Sequence, residues 1–114
     1  MKKLNIYKKQ TSKPFIVAEM SANHNQSLKT ALQIVDKAAK SGAHAIKIQT
    51  FLPEKMTLNI KKNQFLIKDK QSLWKGKYLY DLYLKAHTPF DWHLPIFKKA
   101  KSLGLTCFSS VFDE

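Results

Sequence analysis

Phe15-Ile16-Val17-Ala18-Glu19-Met20-Ser21-Ala22-Asn23-His24-Asn25, answered downstream by Ala45-Ile46-Lys47-Ile48-Gln49-Thr50, decides the fold. Each stretch begins as an apolar run with strand character and passes directly into polar, ionisable residues. In parallel α/β proteins the carboxyl ends of the strands are where ligands bind. A strand with Glu19 at its exit, beside one carrying Lys47 and Gln49, therefore predicts half of a site as well as a sheet.

Phe15–Met20 reads as a continuous apolar strand buried on both faces. Ser27 is a good N-cap, and Leu28, Ala31, Leu32, Val35, Ala38 and Ala39 repeat at helical spacing up to Gly42, a C-terminal stop. The second strand runs over 43–50. Strand, helix and strand joined by short loops make a βαβ unit, with parallel strands and a right-handed crossover. The segment 51–87 interrupts this rhythm as a loop-rich insertion with one short helix at Leu79–Ala86; Phe65, Trp74, Tyr78, Tyr80 and Tyr83 argue against disorder there. Thr88-Pro89 then reads as N-cap and N1 of a helix whose apolar face is Trp92, Ile96, Phe97, Ala100 and Leu103, with Pro95 predicting a kink or restart. Gly104 ends it, and 105–110 forms a third strand.

The length of 114 residues allows one domain at most. No apolar run approaches the roughly 20 residues of a membrane span, and Met1-Lys2-Lys3-Leu4 is followed by no apolar signal-peptide region, so a cytoplasmic location is expected, with no membrane partner. Residues 1–13 read as a Lys-rich leader, with a short edge strand at Leu4–Tyr7. The net charge of +12 sets 20 lysines, with no arginine, against 8 acidic residues. Without the bidentate guanidinium, and with lysines scattered along the chain, nucleic acid is not the expected partner; a basic module for polyanions remains an alternative. Cys107 stands alone in an apolar strand and reads as a small buried hydrophobe.

Two readings stand at Glu19: a carboxylate that handles a proton or orients a hydroxyl, or a structural ion pair or cap. Asn23 and His24 follow in the loop, and no second histidine stands at metal-ligand spacing. His44 lies at the wrong end of its strand for chemistry; His87 and His93 read as capping or surface groups. Lys47 is the sharpest residue, because an uncompensated ammonium is costly in a closed core. At the mouth of a barrel it would bind a carboxylate or phosphate, and alternation puts Gln49 on its face. Ser109 and Ser110 close the third strand as hydroxyl donors. With glycines only at 42, 76 and 104, no phosphate-binding glycine loop can be written.

These motifs, together with 42–50 and Phe108-Ser109-Ser110-Val111-Phe112-Asp113-Glu114, resemble the opening of the sialic acid synthase family. Ser72-Leu73-Trp74-Lys75-Gly76 and Ala86-His87-Thr88-Pro89-Phe90-Asp91-Trp92-His93 are most similar to its pseudaminic acid synthase branch. The resemblance covers 14–114. It implies an α/β fold, the first three β/α units of a (β/α)8 TIM barrel, with the rest of the barrel and an antifreeze-like C-terminal domain absent from this chain. It also implies condensation of phosphoenolpyruvate with an acetamido sugar, a 2,4-diacetamido-2,4,6-trideoxy hexose, to pseudaminic acid and phosphate. The homodimer and the divalent metal (Mn2+ or Mg2+), whose ligands lie outside the chain, are likewise family expectations.

Carried over by motif, Glu19 is the catalytic glutamate near the sugar carbonyl and attacking water. Lys47 and Ser110 contact phosphoenolpyruvate, Gln49 faces the sugar, and Asn23 and His24 belong to the substrate loop. Ala22 stands where the family usually has glycine and Val111 where proline is common; a positive φ at Ala22 would strain the loop by about 1 kcal/mol. Three parallel strands leave an open edge, so the chain is expected to be the front piece of a larger fold and inactive by itself, or else a non-catalytic remnant.

Overall fold

The computed structural model describes residues 13–113. The leader expected over 1–13, save Lys13, its edge strand at Leu4–Tyr7, and Glu114 lie outside the described residues. Three strands, β1 (Val17–Glu19), β2 (Ala45–Gln49) and β3 (Thr106–Ser110), form one parallel sheet in the order β1-β2-β3. Helix α1 (Leu28–Lys40) connects the first two. Between β2 and β3 come α2 (Pro53–Met56), α3 (Leu79–Ala86) and α4 (His93–Ser102), with single 3-10 turns at Asn63–Phe65 and Phe90–Trp92.

The local signals around α1 act as read. The Ser27 hydroxyl accepts the Thr30 N–H at 3.2 Å, and Gly42, at φ +83°, carries the chain out of the helix as only glycine does without strain. Helices α1 and α4 cover one face of the sheet. Ala31, Val35 and Ala38 of α1 and Ile96 and Ala100 of α4 pack with Ile46 and Ile48 of β2, and with Met20 and Leu105, into the core. Ala18 and Cys107 border it from the flanking strands. Cys107 is half-buried, and its burial pushes the thiol up to about 11, away from reactive thiolate chemistry.

Three expectations need correction. β1 is not buried on both faces: Phe15, Ile16 and Val17 are exposed, and only Met20 is fully enclosed. The reason is position, since β1 has β2 as its one strand neighbour in the described sheet. Thr88 caps no helix; it is buried, its N–H donates to the Gln49 carbonyl at 2.8 Å, and its hydroxyl has no hydrogen-bond partner. Pro89 instead precedes the Phe90–Trp92 turn, and α4 starts at His93. Pro95 consequently falls in the first turn of α4, where a missing N–H costs nothing, and the restart lies ahead of it.

The insertion is ordered, as its aromatic content suggested, and α3 has the bounds read from the sequence. Leu66 and Tyr78 form an isolated antiparallel bridge, Lys61 pairs with Asp81, and the Lys61 ammonium lies 5.1 Å from the Tyr78 ring centroid. Phe51, just past β2, meets Tyr83 of α3 and Phe112 past β3 edge-on, at 5.7 and 5.3 Å between ring centroids. The loops at the carboxyl ends of the strands are thus packed against one another.

Candidate functional site

Strand register collects the polar residues on one side. Glu19 is paired in register with Lys47, Lys47 with Phe108, and Gln49 with Ser110. Residues in register share a face, and alternation separates them from the Ala18, Ile46, Ile48 and Cys107 set that meets the helices. Glu19, Lys47, Gln49 and Ser110 therefore stand together at the carboxyl end of the face opposite α1 and α4. The Lys47 ammonium forms an ion pair with the Glu19 carboxylate, at side-chain exposures of 32 % and 55 %. That satisfies the lysine without closing it off, so an incoming anion can compete for it. The carboxylate is ion-paired, as one reading of Glu19 has it, and the pair sits at the carboxyl ends of the strands.

The two serines part company. The Ser109 hydroxyl accepts the Thr50 N–H at 3.1 Å and donates to the Ser110 carbonyl at 2.9 Å, which fixes the loop after β2. Ser110 carries the register position beside Gln49. Thr50 is held further by its hydroxyl, 2.5 Å from His93 Nε2. His93 thus joins α4 to the end of β2, a role that its place at a helix start did not reveal. His44 is structural: its Nδ1 accepts the Ile16 N–H at 2.9 Å and its ring stacks on Phe15.

Asn23 and His24 do not join the Glu19–Lys47 group. The Asn23 amide donates to the Met20 carbonyl at 3.0 Å, closing its own turn. Ala22 is unstrained, because the left-handed residues of this loop are Ser21, Asn25 and Gln26. His24 is fully buried, edge-on to Trp92 at 5.2 Å between ring centroids. Its Nδ1 accepts the Gln26 N–H at 3.1 Å, while Nε2 is enclosed without a hydrogen-bond partner. Burial, and secondarily the neighbouring His87, hold its pKa below the usual value; the Ala86 backbone works against that shift.

The unfolded chain takes up the His24 proton near the ordinary value of about 6.5 and the folded one only at lower pH. This residue's contribution is therefore present above that value and is lost as pH falls from it toward the lowered folded pKa. Denaturation midpoints measured down this range should fall in the wild type, and more shallowly in His24→Asn. Parallel profiles would rule out His24 as the source.

Among the described residues no three His, Cys, Asp or Glu side chains come together as a metal cage. No helix among them is long and apolar enough to cross a membrane.

The NeuB family model matches residues 34–114. The chain belongs to the NeuB family. It is 51 % identical over 100 residues to the pseudaminic acid synthase of Campylobacter jejuni, and 48 % identical over 101 residues to that of Helicobacter pylori. These matches take in 88 % and 89 % of the chain but 29 % of each relative, so the chain spans less than a third of the enzymes it resembles. Among solved structures, the N-acetylneuraminic acid (sialic acid) synthetase of Leptospira borgpetersenii superposes with a TM-score of 0.67 at 25 % identity, over 90 % of this chain and 31 % of that one. The family match contains β2, β3 and the loops that pack at their carboxyl ends, while Glu19 lies before it and within the described sheet.

The contacts that Gln26, Thr50, Ser109 and His93 make do not follow from the sequence reading. Ser109 could have been separated from Ser110 by alternation once β3 was placed in register with β2. Nothing in spacing announces the other three, whose partners are 43 to 61 residues away.

Proposed function

We propose that these residues serve a nonulosonic acid synthase, in which this sheet supplies three strands of a (β/α)8 barrel and the Glu19–Lys47 face is part of its lining. The substrates are phosphoenolpyruvate and an open-chain 2,4-diacetamido-2,4,6-trideoxy hexose, and the product is pseudaminic acid. The observation that carries this reading is the register of Glu19 with Lys47 and Gln49 with Ser110 on the face opposite the helices, in a chain half identical to pseudaminic acid synthases. A cytoplasmic homodimer follows from the same reading.

The residues divide the work by charge. Lys47 exchanges its carboxylate partner for the anionic groups of phosphoenolpyruvate, and the Ser110 hydroxyl donates to the same ligand. Gln49 hydrogen-bonds the sugar. The enol carbon attacks the aldehyde carbon, forming the new C–C bond, and the aldehyde oxygen takes a proton to become a hydroxyl. Water adds to the oxocarbenium centre left behind, losing a proton to Glu19, which is released from Lys47 by the incoming anion. The tetrahedral intermediate breaks its C–O bond to phosphate and collapses to the ketone. The family resemblance implies a divalent metal that polarises the aldehyde. The described residues do not form its cage: no three of their His, Cys, Asp or Glu side chains converge, and both nitrogens of His24 face into the protein. No step above depends on it.

The test is positional isotope labelling in the full-length gene product. With 18O in the bridging oxygen of phosphoenolpyruvate, sugar-dependent turnover should deliver the label to phosphate. Label retained in the keto acid, or phosphate release that ignores the sugar, would overturn this assignment.

A further inference from the structure

The carboxyl end of α3 is held by two glutamine side chains, one from the loop between β1 and α1 and one from the end of β2. Gln26 Nε2 donates to the carbonyls of Lys85 at 3.0 Å and His87 at 2.7 Å. Gln49 Nε2 donates to the carbonyl between them, that of Ala86, at 3.1 Å. The last carbonyls of a helix have no partner within it, so these bonds satisfy a standing need. A carbonyl can only accept, which fixes the orientation of both amides: NH2 toward the helix end, oxygen away from it. The backbone completes the seam, with the Thr88 N–H donating to the Gln49 carbonyl at 2.8 Å.

Gln26 reaches this place through an unusual backbone. Asn25 and Gln26 have φ of +48° and +56°, left-handed conformations that L-residues adopt reluctantly, one after the other. Such conformations persist where their surroundings over-determine them. Here the Gln26 N–H is tied to His24 Nδ1 while its side chain spans two carbonyls.

We propose that Gln26 is a positioning residue. By gripping the Lys85 and His87 carbonyls it fixes the Ala86 carbonyl, which turns the Gln49 amide oxygen outward, so the sugar must meet Gln49 with a hydrogen-bond donor, a hydroxyl or an acetamido N–H. This rests on the assignment of the Gln49 face to the sugar.

Gln26→Met keeps the length of the side chain and removes both donors. In the full-length gene product it should raise KM for the sugar about tenfold while KM for phosphoenolpyruvate and kcat stay within about twofold. Gln26→Lys places an ammonium with three donors at a helix carboxyl end and should bring the sugar KM back to within about threefold of wild type. An unchanged sugar KM in Gln26→Met, an equal rise in both KM values, or no rescue by lysine would overturn the proposal. Hydrogen exchange separates this from the assigned reaction, because it needs no turnover. The Thr88 amide should exchange at least about tenfold faster in Gln26→Met and near the wild-type rate in Gln26→Lys. Unchanged protection in the methionine variant overturns the clamp even if the enzyme is inactive on the named substrates, whereas lost protection in an inactive protein condemns the substrate assignment and leaves the clamp standing.

Discussion

Lys47→Ala should lower kcat/KM for phosphoenolpyruvate in the full-length protein by about a thousandfold or more, equivalent to about 4 kcal/mol of transition-state binding. The lysine is the cation brought to the polar face by strand register, and it is held there by Glu19 alone among the ion pairs of the described residues. Removing it would take away the charge-assisted contact proposed for the anionic substrate and leave Glu19 on that face without its counter-charge. Lys47→Arg should fall short of rescue, because a planar fork does not reproduce a compact ammonium in the space opened for it. The β2 side chains that meet the helices are Ile46 and Ile48, so the melting temperature should change little in either variant. Steady-state kinetics with phosphoenolpyruvate as the varied substrate decide the matter. Turnover within tenfold of wild type in the alanine variant would remove Lys47 from the site.

The second large effect is on stability. Ile96 is fully buried in α4, in the core shared by α1 and the sheet. Ile96→Ala deletes buried carbons from a packed site and should cost about 2–5 kcal/mol, with Ile96→Val at about 0.5–1.5 kcal/mol. Against the 5–15 kcal/mol that holds typical domains folded, the alanine variant stands near the edge. Leu94, two residues earlier in the same helix, is 78 % exposed, and Leu94→Ala should stay within about 0.5 kcal/mol of wild type. Urea titrations should show a lower midpoint with an unchanged slope for the Ile96 variants. Equal midpoints for Ile96→Ala and Leu94→Ala would mean that α4 does not pack as described.

What could be read from the sequence was local or periodic. Ser27, the apolar stripe of α1 and Gly42 define that helix from end to end, and α3 declared itself by its own pattern. The shared face of Lys47 and Gln49 follows from alternation within one strand. Their partnership with Glu19 and Ser110 depends on register between strands, which a single sequence does not state. The start of α4 is not legible, because Thr88-Pro89 has the chemistry of a helix start while the Thr88 N–H donates to the Gln49 carbonyl across 39 positions of chain. His24 enters the substrate loop only through the family resemblance. Its ring packs edge-on to Trp92, a contact that arises only when the chain around the start of α4 docks.

The two-sided character of the sheet has a further consequence for how the molecule behaves in company. One face is sealed by helices; the other carries Val17 and Phe108 exposed beside the Glu19–Lys47 pair. Flat apolar β-surfaces invite self-association, and inward-pointing charges are a way proteins suppress it. Glu19 and Lys47 place opposite charges at the carboxyl end of that surface, so a second sheet stacking over it would have to bury both. Such stacking would carry the desolvation cost of both charges.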